Sequence, residues 1–124
     1  MKKTDLINFV NNQLGYTKLK TDNTVYSNIN RAKPVWWLNI SPSKFNNSLN
    51  IILIEKEELI LLDNLPENIC KQYKDHFRIR TDSRYYGKLD IEISSEKGDY
   101  LKETKGEGHF DFKPHINQRF KINF

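Results

Sequence analysis

The chain has one cysteine, four prolines and five glycines in 124 residues, and each shortage excludes something. A single thiol, Cys70, forms no internal disulfide and cannot build a zinc site on several thiolates. It fits a reducing, cytoplasmic location. Few Pro and Gly beside 29% charged residues argue against disorder. No apolar run approaches the roughly twenty residues of a membrane span, so no membrane partner is expected. The N-terminus is basic, but the segment behind it is amphipathic and carries Asn and Gln, which is not the pattern of a secretory signal. There is no Gly-rich phosphate loop, nucleophile elbow, zinc-finger spacing or dinucleotide fingerprint, and no cofactor is implied. No repeat, low-complexity tract or linker divides the chain, so residues 1–124 read as a single α+β domain.

Aromatic residues are plentiful, at 12%. Both tryptophans fall in Pro34-Val35-Trp36-Trp37-Leu38-Asn39-Ile40, which reads as a strand. Alternation puts Trp36, Leu38 and Ile40 on an apolar, inward face and Val35, Trp37 and Asn39 on the other. Trp37 is then either covered by a second packing layer or partly exposed as a stacking platform.

The remaining elements follow from period. Thr4 to Leu14 reads as a helix with Leu6, Phe9, Val10 and Leu14 on one stripe and Gly15 ending it. Thr24 to Ile29 reads as an edge strand. Leu49 to Glu55 and Leu59 to Asp63 are continuous apolar runs joined by a short polar turn, the pattern of a hairpin lying mid-sheet and covered on both faces. Leu65-Pro66-Glu67 opens a second helix to about His76, with Ile69, Cys70 and Tyr73 inward. Phe77 to Arg80 and Lys88 to Ser94 alternate as strands. Ser95 to Gly108 is polar and reads as the most mobile stretch, Phe110 and Phe112 as a short strand, and Pro114 through Phe120 as a closing helix. The expected fold is α+β: a mostly antiparallel sheet of about five strands with helices at the N-terminus, middle and C-terminus.

Charge is localised. Between Lys71 and Lys88, six cations (Lys71, Lys74, Arg78, Arg80, Arg84, Lys88) face Asp75 and Asp82, an excess that equals the net charge of +4. Arg78, Arg80, Arg84, Tyr85, Tyr86 and Lys88, with Trp37, form a basic-aromatic set suited to phosphates and unpaired bases. The plainer alternative is that one tyrosine packs and the arginines pair with Asp82 and, across strands, with Asp90 and Glu92.

Asp90 with Glu103-Thr104-Lys105 resembles the three-residue core of metal-dependent nucleases of the PD-(D/E)xK type, which implies carboxylates holding Mg²⁺ and a lysine beside the attacking water. The resemblance covers those residues alone. His109 and Asp111 share a face but lack the further ligands of a metal site, and no serine or cysteine motif supplies a nucleophile. The function expected is a non-catalytic cytoplasmic module that binds DNA or RNA through the basic-aromatic surface. The alternatives are a protein-interaction module and a Mg²⁺ nuclease.

Overall fold

The computed structural model describes residues 2–66, 77–82 and 84–122. Helix α1 (Lys3–Leu14) starts one residue before the expected Thr4, and the Asp5 carboxylate accepts from the Lys2 amide at 3.3 Å. Gly15 ends it at φ +81°, donating its N–H to the Asn11 carbonyl. The strands are β1 (Thr24–Asn28), β2 (Val35–Ile40), β3 (Asn50–Glu55), β4 (Glu58–Leu62), β5 (Arg78–Ile79), β6 (Leu89–Ser94) and β7 (Ile116–Lys121).

They form two sheets. One has the order β1-β3-β4-β7, with β1 parallel to β3 and the other pairs antiparallel. The other has the order β2-β6-β5 and is antiparallel throughout. The continuous apolar runs of β3 and β4 take the two middle positions of the larger sheet. Ile51, Leu53, Ile60 and Leu62 meet the smaller sheet; Ile52, Ile54, Leu59 and Leu61 meet Leu6, Ile7 and Val10 of α1. The result is three layers: helix, four-stranded sheet, three-stranded sheet. Trp36 lies between the sheets, wholly buried, and donates its Nε1–H to the Ile54 carbonyl at 3.0 Å. Phe45, Phe77, Phe110 and Phe112 join the same core, with Phe77 stacked near both Phe45 and Phe112 at 5.9 and 6.2 Å.

The expected architecture is corrected in three respects. The described residues form two sheets, not one. Among the described residues α1 is the one α-helix, with only short 3-10 turns besides. The closing helix expected from Pro114 is a 3-10 turn, Lys113–His115, that leads into β7. The physical reason is the ladder of β4, which is buried on both faces and could not leave its backbone unpaired; β7 supplies the partner, with Phe120 opposite Leu59. The middle helix, with Cys70, lies from residue 67 on outside the described residues. No described helix is long and apolar enough to cross a membrane.

The segment expected to be most mobile is anchored by Leu101 and Glu103, both with no exposed surface. Phe110 and Phe112 flank the single bridge between Asp111 and Lys102 rather than forming a strand.

Candidate functional site

Since β2 and β6 send Trp36, Leu38, Ile40, Leu89, Ile91 and Ile93 inward, alternation turns Trp37, Asn39, Asp90 and Glu92 outward. Register sets Trp37 opposite Glu92, Asn39 opposite Asp90, and Arg78 opposite Asp90. This outer face of the smaller sheet holds an open cleft of ≈ 500 Å³ lined by Trp37, Arg78, Arg80, Thr81, Asp82, Asp90 and Lys105.

β5 pairs with only Leu89 and Asp90. Further along, the place beside β6 is taken by residues 102–104: the Ser94 amide donates to the Lys102 carbonyl and the Thr104 amide to the Glu92 carbonyl. Beyond the second of those bonds the Glu92 amide meets no carbonyl among the described residues. Glu103 fills the gap, accepting from it at 2.7 Å while its other oxygen accepts from the amides of Lys105 and Gly106. Glu103 thus acts as a side-chain plug in the ladder. Burial pushes its carboxyl above the ordinary range, against the downward pull of those amide bonds.

The plug delivers Lys105 to the cleft. Its Nζ lies 2.9 Å from Asp90 Oδ2 and 3.7 Å from Glu92 Oε2. Lys33, from the β1–β2 turn, reaches Glu92 at 2.6 Å, and the Thr104 hydroxyl donates to Glu92 at 2.8 Å. Burial alone would raise the Glu92 carboxyl; these partners outweigh it and hold it below the ordinary range. Trp37 donates its Nε1–H to Asp90. The two outward carboxylates are therefore buried, roofed by Trp37 and two lysine stems.

Trp37 itself is 42% exposed, so the reading that placed it under a second packing layer is overturned. Its ring is within cation–π range of Arg80 (5.6 Å) and Lys105 (5.7 Å). From Arg80 the series continues to Tyr85 (4.8 Å) and from Tyr85 to Arg84 (5.2 Å), in the turn that joins β5 to β6. Gly87 closes that turn at φ +81°, a backbone state that favours glycine. Tyr86 at its tip is 77% exposed.

Of the carboxylates expected to pair with the arginines, Asp82 does so and Asp90 and Glu92 do not. Arg80 binds its neighbour Asp82 through two nitrogens, at 2.7 and 2.9 Å, and this bond holds the Asp82 carboxyl below the ordinary range. Lysines, not arginines, pair with Asp90 and Glu92. Three cations on this surface, Lys33, Arg80 and Lys105, are thereby matched by Glu92, Asp82 and Asp90. Arg78, Arg84 and Lys88 have no ion pair among the described residues.

Of the nuclease-like triplet, Asp90 and Lys105 meet and Glu103 gives its carboxylate to backbone amides. Among the described residues no three His, Cys, Asp or Glu side chains converge to hold a metal ion. His109 places Nδ1 3.2 Å from the Glu103 carbonyl, and Asp111 pairs with Lys113. Sequence reasoning missed Lys33 and Thr104, whose partners lie far along the chain. Asn39, 3.3 Å from an Arg80 nitrogen, was legible from its place beside Trp37.

Glu103→Gln should lower stability by about 1–3 kcal/mol, because an amide nitrogen would face a buried N–H donor. An acid whose pKa is raised on folding holds its proton more tightly in the native state. Its contribution is therefore greatest below 4.5 and falls as the pH climbs through the raised value. Urea midpoints should show the wild type's advantage over Glu103→Gln widening as the pH is lowered. A constant gap would mean that burial does not perturb this carboxyl.

No protein-family model matches the chain, and no solved structure matches it significantly. Over 79 residues, 64% of the chain, it is 30% identical to the cytoplasmic dynein heavy chain of Caenorhabditis elegans. The matched stretch is 2% of that protein, so the similarity assigns neither a family nor an activity.

Proposed function

We propose that this domain is a non-catalytic module that binds nucleic acid across the outer face of the β2-β6-β5 sheet. The observation that carries the reading is a surplus: among the described residues Arg78, Arg84 and Lys88 have no ion pair, on a surface that also exposes Trp37 and Tyr86. Unpaired cations gain most from displacing counterions at phosphates, and exposed rings beside them suit bases. Arg80 and Lys105 contribute differently from what sequence suggests. Each is tied to a carboxylate, so each orients Trp37 and the turn rather than adding net charge. A reducing cytoplasm is the setting the lone cysteine supports.

The test is an anisotropy titration of a labelled mixed-sequence oligonucleotide across a salt series. Binding should weaken steeply, with a log–log slope near −2 for about three phosphate contacts. Affinity that ignores salt, or no binding at low salt, ends the proposal.

A further inference from the structure

Resting on that reading, we infer that the ligand is a single strand, with one unpaired base stacked on Trp37. A duplex presents phosphates to a sheet face and keeps the flat faces of its bases against one another. Only a strand with free bases can use an aromatic ring that lies in a cleft. Trp37 is built for this contact. Its backbone N–H donates to Ser27 Oγ at 3.2 Å and its indole N–H donates to the buried carboxylate of Asp90. The first bond holds the strand beneath the ring and the second holds the ring itself before any ligand arrives, so stacking costs little side-chain entropy. The ring keeps 42% of the residue's surface open, and the cleft around it, ≈ 500 Å³, is of the size that receives a small organic group.

The surroundings divide the labour. Arg78 lines the same cleft with no ion pair among the described residues and can take the phosphate next to the stacked base. The line of cation–π contacts from Trp37 through Arg80 and Tyr85 to Arg84 leads out of the cleft to the β5–β6 turn. There Tyr86 offers a second ring. A strand following that line meets alternating charge and aromatic surface.

The experiment uses the full chain and a labelled single strand of about twelve nucleotides, with the same sequence as duplex, in about 50 mM salt. Intrinsic fluorescence gives a second readout: Trp36 is sealed in the core, so quenching on titration reports Trp37. The single strand should bind at least about tenfold tighter than the duplex and quench the emission. Trp37→Leu should cost roughly ten- to a hundredfold in single-strand affinity and a clearly smaller factor in duplex affinity, whereas Trp37→Phe, which keeps a ring but not the bond to Asp90, should lose less single-strand affinity than Trp37→Leu. Equal binding of both forms, with no quenching of the unaltered protein, overturns the inference and leaves the phosphate-binding reading standing. Absence of binding to either form overturns both. The quenching experiment needs no variant, so a misfolded substitution does not remove the test.

Discussion

Trp36→Ala should lower the free energy of unfolding by about 3–5 kcal/mol, most of what a domain of this size commands at the low end of the usual range. Trp36 has no exposed surface and spans the gap between the two sheets. Its removal leaves a void bounded by β-strands on both sides, which cannot collapse without breaking ladder hydrogen bonds. The indole also donates to the Ile54 carbonyl, a group that already accepts from the Ile29 amide at 2.9 Å. Losing the indole therefore leaves that carbonyl partly satisfied, and the cost is chiefly packing. Urea unfolding followed by circular dichroism checks the value. The neighbouring substitution Trp37→Ala serves as the internal contrast, since a half-exposed ring should cost far less. A loss at Trp36 below about 1 kcal/mol would mean that the sheets are not held together across this residue.

The difference between these adjacent tryptophans was legible in the sequence, because a period of two has only two faces and one of them was wholly apolar. The same logic found the buried middle positions of β3 and β4, whose continuous apolar runs need cover on both sides. It also found the inward set on β6. Pairing was not legible. Nothing in β1 marks it as a parallel neighbour of β3, and nothing in β2 says that it leaves the larger sheet for β6. The C-terminal segment shows why local signals fail. Proline at a helix start and Ile116 four residues before Phe120 suit a helix, yet an uncapped, fully buried ladder on β4 outweighs a short stretch's own preference. The site divides in the same way. Arg80 and Asp82 are two residues apart, so their pairing was within local reach. Lys33 with Glu92, and Lys105 with Asp90, depend on register and on the Glu103 plug, which no spacing rule encodes.

Replacing Arg78, Arg84 and Lys88 together by alanine should reduce the salt slope of single-strand binding by about 2 and weaken binding on the order of a hundredfold in about 50 mM salt. The magnitude follows from counterion release: each cation that meets a phosphate on a single strand contributes about 0.7 to the slope. Three such contacts account for the change. All three side chains are at least partly exposed and have no ion pair among the described residues, so their loss removes charge without orphaning a described carboxylate. The discriminating control is the double replacement Arg80→Ala with Asp82→Ala. It deletes a bonded pair, leaves net charge unchanged, and should shift the slope by less than about 0.5. Arg80→Ala alone is a poorer probe, since it frees Asp82 to repel the ligand and loosens the contacts to Trp37 and Tyr85. If the triple variant kept the wild-type slope, or if the double variant lost as much as the triple, phosphate contact would have to be sought away from this face. The division between paired and unpaired cations, which separates scaffold from binding surface here, would then be wrong.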